Sequence, residues 1–297
     1  MLDKISTYIN SVDQEYEYTV VIPSWNNLIY LQLCLEGLEK NSTLIHQIIV
    51  IVNEGNDGTI DWLKNRKADN LDILHFPDNI GICFALNAAR TYLKSDYFLY
   101  MNDDMYPLPD WDNHLLSSIQ SAGKMAMYSS TMVEPSESGN KAVVVADFGH
   151  DTESFKKDEI INNTHKLARG DWLGSTWPPN ILHKDLWDLV GGMSIEFSPG
   201  FGSDPDLSMK LYKAGVRDFR GIGNSLVYHF GSKSTGKIKK NPGKELFELK
   251  WDIKRSYFTN SILKRGGSIL QNTIEEDIHI DRSLAFKLRQ IFSQLRK

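Results

Sequence analysis

Cysteine is nearly absent from this sequence. The two that occur, Cys34 and Cys83, each sit in an apolar stretch with helical spacing. No disulfide framework is expected, and a reducing compartment is the default. No apolar run approaches the ~18 residues of a membrane span. The first residues, MLDKISTYINSVDQEYEY, hold no apolar core of signal-peptide length. The expectation is a cytoplasmic protein, in which the sequons at Asn41 and Asn162 are chance matches. Neither sign of charge dominates: 33 Lys and Arg stand against 38 Asp and Glu, a net charge of -5. With that balance nothing points to non-specific nucleic-acid binding by the chain as a whole. Internal repeats and low-complexity tracts are missing, as are a His-Glu-x-x-His motif and a Ser-centred nucleophile elbow.

What is present is ordinary globular material. The 297 residues, 41% apolar and 24% charged, suffice for one large domain or two small ones with a proper core. YTVVIP at 18–23, QIIVIV at 47–52, LDILHF at 71–76 and DYFLYM at 96–101 read as strands. Between them, LIYLQLCLEGLEK, residues 60–67 and CFALNAARTYLK read as helices. The strands are continuous apolar runs, which indicates a mainly parallel sheet covered on both faces. Ligands of such sheets bind beyond the C-terminal strand ends. The polar clusters PSWNN, NEGNDGT and NDDM fall at those ends.

Beyond residue 107 the pattern loosens. PDWDNHLLSSIQSAG reads as a helix, and MAMYSS and AVVVADFG read as strands. Residues 150–170 give no clear periodicity. Helices are expected at 184–190 and 204–214, and a strand ending at His229. GSKSTGKIKKNPGK reads as a mobile basic loop and the remainder as helical. The final segment, RSLAFKLRQIFSQLRK, places Leu284, Leu288, Ile291 and Leu295 on one face and basic residues elsewhere.

NDD at 102–104 places two like charges side by side at a strand end. A hard divalent cation that also binds a phosphate would cancel their repulsion. Alternatively, the residues simply open a loop and cap the following helix. Taken alone, the pair does not decide between these.

Taken in order, the strand-end clusters do more. YTVVIPSWNN, VIVNEGNDGT, PDNIGICFALNAA, FLYMNDDM, WPPNILHKDLWDLVGGM, FGSDPDLSMKLYKAGVR and VYHFGSKST resemble, in order and spacing, family 2 glycosyltransferases of the GT-A fold. The resemblance runs from about Tyr18 to about Thr235. It implies an α/β GT-A domain, a mixed and mainly parallel sheet flanked by helices, over residues 1–240. The nucleotide-binding half would span about 18–106 and the acceptor-side half about 107–240. A C-terminal helical extension would occupy 241–297.

The resemblance also implies site residues. Pro23, Ser24, Trp25 and Asn26, with Asn53, Glu54 and Asp57, would hold the base and ribose. Asn53 stands where the family usually has Asp. Gly81 would let the backbone approach the ligand, and Asn87 would bond ribose or sugar. Leu86 replaces an arginine often seen there. Asn102 and Asp103 would contact the nucleotide, and Asp104 with His229 would hold Mn²⁺ or Mg²⁺. Asp204 would be the catalytic base that deprotonates an acceptor hydroxyl in a single inverting displacement. Ser203 replaces the family's Glu beside it. Asp206, Trp172 and Trp177 would serve the acceptor side. Each has a plainer reading: NDGT as a turn, residues 83–93 as a core helix, His229 as structural, the two aspartates as helix caps, the tryptophans as core.

GSKSTGKI approximates a P-loop, but Ile238 stands where Ser or Thr must hold Mg²⁺, and Pro242 follows. A basic loop in which Lys233 or Lys237 closes over the donor is the preferred reading. GIGNSL lacks the third glycine of a dinucleotide site. Two alternatives to an inverting glycosyltransferase stay open. One is a nucleotidyltransferase making nucleotide sugars, against which PSWNN argues, since a Gly/Arg/Lys-rich loop would be expected there. The other is an inactive sugar- or nucleotide-binding relative. The implied partners are a UDP-, GDP- or dTDP-sugar donor and a carbohydrate or lipid-linked acceptor. The C-terminal amphipathic helix would pack on its own domain or a twin subunit, or lie peripherally on the inner membrane face.

Overall fold

Alternate residues of the first long strand point to opposite sides, and both sides are buried. Val20 and Ile22 enter one apolar cluster and Val21 another, as the two-residue period of a strand requires. A computed structural model describes residues 5–66, 68–231, 242–270, 274 and 291–292. Its first half runs β1 (Ser6–Ile9), β2 (Tyr18–Trp25), α1 (Leu28–Asn41), β3 (His46–Asn53), α2 (Thr59–Asn65), β4 (Leu71–Phe76), α3 (Ile82–Ala89), β5 (Tyr97–Tyr100) and β6 (Met105–Pro107). The chain continues through α4 (Trp111–Ala122), β7 (Ala126–Glu134), β8 (Val144–Val145), α5 (Lys157–Leu167), β9 (Trp172–Leu173), β10 (Asn180–His183), α6 (Lys184–Val190), α7 (Ser203–Lys213), β11 (Asp218–His229) and α8 (Gly243–Trp251).

The main path through the sheet is β1-β4-β3-β2-β5-β10-β7-β11-β6. From β4 to β5 the neighbours are parallel. β10 is antiparallel to both β5 and β7, and β11 runs parallel to β7. The architecture is the expected mixed, mainly parallel sheet with helices on both faces. The chain winds outward from β2 to β3 and β4, then crosses back to lay β5 on the other side of β2. Strand order therefore reverses between β2 and β5, and a crevice opens at their C-terminal ends.

Core contacts sort the helices. Leu31, Leu35 and Leu38 of α1, Leu63 of α2 and Leu115 of α4 share a cluster with Val20, Ile22 and Val50. Leu86 of α3, Leu186 of α6, Leu207 of α7 and Phe247 of α8 share another with Val21, Ile49 and Phe98. α8 and the described residues that follow it are thus built into the main core. Each fully buried Leu or Phe is worth roughly 1.5–3 kcal/mol, so α8 is held firmly.

The structure departs from the sequence reading in several places. β1 pairs antiparallel with β4, although its burial is slight. It is held by Asp72, which accepts from the backbone N–H groups of Asn10 and Ser11. AVVVADFG contributes only the two strand residues of β8. The aperiodic stretch before residue 170 contains α5, of which only Ile160 is buried; a helix touching the core at one point leaves no apolar stripe to read. Residues 232–241, including Lys233 and Lys237, lie outside the described residues, as does nearly all of the basic C-terminal segment. Among the described residues no helix is long and apolar enough to cross a membrane.

Candidate active site

The crevice at the β2/β5 reversal holds a cavity of about 340 Å³. Pro23, Ser24 and Trp25 at the end of β2, Asn53 at the end of β3 and the turn Asn102–Asp104 after β5 line it. So do Trp177 and the segment Pro199–Pro205, which leads into α7. The polar clusters that the sequence places at strand ends therefore meet, because parallel strands bring those ends to one edge.

On the β2 side, Ser24 is buried and its hydroxyl has no partner among the described residues. A buried hydroxyl normally has one, so this group is available to a ligand. Asn53 is 3% exposed and accepts from the Ile80 N–H at 3.2 Å. Asp103 is fixed by the Asn27 amide, which donates to it at 2.9 Å. Asn102 accepts from the Tyr100 hydroxyl at 2.8 Å. Gly81 has φ 75°, and a Cβ there would stand 3.0 Å from the Ser198 hydroxyl oxygen. Its openness is used by the Ser198–Pro199 segment, which crosses directly over it.

Strand register builds the next group. β6 pairs with β11 so that Met105 lies opposite His229, which brings Asp104, one residue earlier, beside the imidazole. The Tyr228–Val133 pair of β11 and β7 is followed on each strand by His229 and Glu134. His229 Nδ1 lies 2.8 Å from Glu134 Oε1, and its Nε2 lies 3.6 Å from Asp104 Oδ1. Since the carboxylate accepts, Nδ1 carries the proton and Nε2 is directed toward Asp104. Burial pushes the Glu134 carboxyl up, but the hydrogen bond and charge of His229 bring it below its ordinary range.

Two donors that share one Mg²⁺-sized ion each stand about 2.1 Å from it, so they can lie up to about 4.2 Å apart. The Asp104–His229 spacing falls within that reach. A carboxylate on the far imidazole nitrogen is the usual support for a metal-ligating histidine. The pair therefore fits a divalent cation. Among the described residues no three His, Cys, Asp or Glu side chains group to hold a metal. Further ligands would have to come from outside this pair of side chains.

Asp204 lies in the first turn of α7 and on the cavity wall. One of its oxygens, Oδ1, is buried without a partner among the described residues. Burial pushes its carboxyl up to about 7, against the smaller downward pulls of its own backbone N–H and the Arg255 charge. A carboxylate tuned near neutrality is suited to accepting a proton. Gly202 just before it has φ 91°, and a Cβ there would come within 2.6 Å of the Gly243 carbonyl oxygen. The start of α8 thus packs directly behind the segment that carries Asp204.

The other sequence-expected residues stand outside the cavity lining. The Asn26 amide donates to Glu54 at 2.9 Å, and Asp57 accepts from the Leu28 and Thr59 N–H groups; these three tie the β2 and β3 loops together. The Asn87 amide is engaged with the Met193 backbone in both directions. Asp206, fully buried, accepts from Trp251 Nε1 at 2.7 Å and from the Ser194 hydroxyl at 2.5 Å. It does not cap α7. Trp172 is buried over Gly221, where a Cβ would overlap the indole, and donates to Thr131. Of the replaced positions, Leu86 is a fully buried core residue, and Ser203 donates to the Gly200 carbonyl at 2.5 Å.

Sequence reasoning missed Glu134 and Arg255, both on the cavity wall. Glu134 ends a strand that reads as the six residues MAMYSS but runs for nine. Arg255 follows a helix that shows no link to the strand-end motifs.

The matches to known proteins follow this geometry. Residues 19–172 match the family described as Glycosyl transferase family 2. No curated protein matches this chain in sequence. Among solved structures, TarS of S. aureus aligns with a TM-score of 0.56 at 15% identity, over 94% of this chain and 73% of that one. The mannosyltransferase PcManGT of Pyrobaculum calidifontis, in complex with GDP-Man and Mn²⁺, aligns with a TM-score of 0.53 at 12% identity, over 97% and 77%. GalNAc-T7 with UDP, GalNAc and Mn²⁺ aligns with a TM-score of 0.55 at 12% identity over 73% of this chain, which spans 44% of the length of that one. At these identities the alignments speak for the fold.

Proposed function

The chain belongs to glycosyl transferase family 2 and is a glycosyltransferase, and from that premise we propose a single in-line displacement with Asp204 as the general base. The donor is a nucleotide-diphosphate sugar and the acceptor a hydroxyl group on a glycan, a lipid-linked sugar or a similar molecule. The observation that carries the reading is that Asp104 and Asp204, from opposite halves of the sequence, line the same cavity.

The donor's base and ribose lie against Pro23, Ser24, Trp25 and Asn53, with Ser24 supplying a desolvated hydroxyl. Asn102 and Asp103 line the next part of the path. Asp104 and His229 would hold Mn²⁺ or Mg²⁺, which when bound stabilises negative charge on a departing diphosphate. Glu134 keeps the proton on Nδ1 of His229. Across the cavity, Asp204 accepts the proton of the acceptor hydroxyl as its oxygen forms a bond to the anomeric carbon. The bond from that carbon to the diphosphate breaks, nucleoside diphosphate leaves, and the configuration inverts. Trp177 offers an aromatic face to the acceptor sugar.

The test is a thermal-shift screen of UDP, GDP, dTDP and CDP with and without Mn²⁺, followed by product analysis with the matching nucleotide sugars. A ligand that binds the folded state raises the melting temperature. At least one nucleotide is expected to do so in a metal-dependent way, and turnover is expected to release nucleoside diphosphate. Release of pyrophosphate would select nucleotidyl transfer instead, and binding without any release would select an inactive relative.

A further inference from the structure

Two arginines that the mechanism above does not use stand at the cavity, one on its wall and the other stacked on a residue of that wall. Arg255, half-buried, lines the cavity. Arg265, also half-buried, stacks over the ring of Trp177 with its guanidinium carbon 4.6 Å from the ring centroid. Trp177 itself lines the cavity. The backbone around Arg265 is anchored: the Leu173 N–H donates to the Gly267 carbonyl and the Gly266 N–H to the Leu173 carbonyl. Gly174 makes room for it, since a Cβ there would lie 2.6 Å from the Arg265 Cα.

Neither guanidinium makes a hydrogen bond or ion pair with a carboxylate among the described residues. Burial, and then the like charge of Arg255, push the Arg265 guanidinium below its ordinary range. The fold thus holds two half-buried positive charges within electrostatic reach of each other and without a directly bonded carboxylate among the described residues. Arginine forks bind phosphate and carboxylate oxygens in pairs.

Position says whose anion it is. The acceptor hydroxyl must come within hydrogen-bond reach of the base, and the charge of Arg255 is felt at Asp204. The diphosphate belongs with Asp104 and His229 under the reading above, on which this inference rests. We propose that Arg255 and Arg265, with Trp177 beneath the second, form an anion subsite for the acceptor. The enzyme would then glycosylate a hydroxyl on a molecule that also carries a phosphate or carboxylate close to that hydroxyl.

The test uses the full chain with saturating Mn²⁺ and whichever nucleoside diphosphate the screen selects, so that the donor site is filled. Calorimetry then measures binding of sn-glycerol 3-phosphate and of glucuronate, with glycerol and glucose as uncharged counterparts. At least one of the anions is expected to bind together with the nucleotide and the neutral molecules not to. Arg255→Gln and Arg265→Gln should each weaken the anion about tenfold or more, the scale of a charged hydrogen bond. Arg255→Lys, which keeps charge but loses the fork, should fall between. Failure of both anions to bind, equal binding of charged and neutral molecules, or unchanged affinity in both glutamine variants would overturn the inference. So would competition between anion and nucleotide, which would assign the arginines to the donor. If no nucleotide binds at all, the transferase reading fails and the inference with it; nucleotide binding without anion binding removes the inference alone.

Discussion

His229 is held between two carboxylates, its Nδ1 2.8 Å from Glu134 and its Nε2 3.6 Å from Asp104. Three neighbouring strands, β7, β11 and the start of β6, set that line. The imidazole links Glu134 to Asp104. Glu134→Ala is therefore expected to weaken Mn²⁺ binding to the nucleotide complex by about 10–100-fold, measured by titration without turnover. Glu134→Gln, which can still accept from Nδ1, should lose less. Equal metal affinity in the alanine variant would make Glu134 merely structural.

Asp104→Ala should abolish the metal-dependent part of the nucleotide thermal shift while leaving the fold intact. A nucleotide shift that keeps its full Mn²⁺ dependence would place the cation elsewhere.

Asp204→Asn should retain nucleotide binding and lose about 10²-fold or more in turnover, the usual worth of a general base. In the wild type, turnover should rise with pH through about 7, where the Asp204 carboxyl loses its proton.

The same group ties stability to pH. The Asp204 carboxyl titrates at 3.8 when unperturbed and near 7 in the fold. Between those values the folded state holds a proton that the unfolded state has lost, so stability declines as pH rises through that window. Asp204→Asn, which carries no charge to bury, should melt increasingly above wild type as pH goes from 5 to 8. A constant gap across that range would mean the carboxyl is not raised.

Asp206 is expected to matter for stability rather than for turnover. It is fully buried and accepts from Trp251 and Ser194, with Lys250 at 3.0 Å. Asp206→Ala should cost about 3 kcal/mol, the scale of breaking a buried ion pair, read by urea denaturation. Nucleotide affinity should change little at temperatures where the variant is folded.

The sequence by itself determined the winding of β2 to β5. Each strand there is a continuous apolar run ending in a polar cluster, and parallel pairing necessarily gathers those ends at one edge. It also marked Asp104, Asp204 and Trp177, which all reach the cavity. Only the tertiary structure separated Asp204 from Asp206, two residues apart on one helix. One opens onto the cavity and the other turns inward to Trp251, a difference set by the packing of α8 rather than by either residue's chemistry. Likewise Glu134 reaches His229 through the register of two strands far apart in the chain, and Arg255 reaches the cavity because Phe247 and Phe258 seat its segment in the main core. Local pattern encodes which residues can form strands and turns. Which side chains then share a space depends on long-range pairing and packing, and these leave no periodic trace in the sequence.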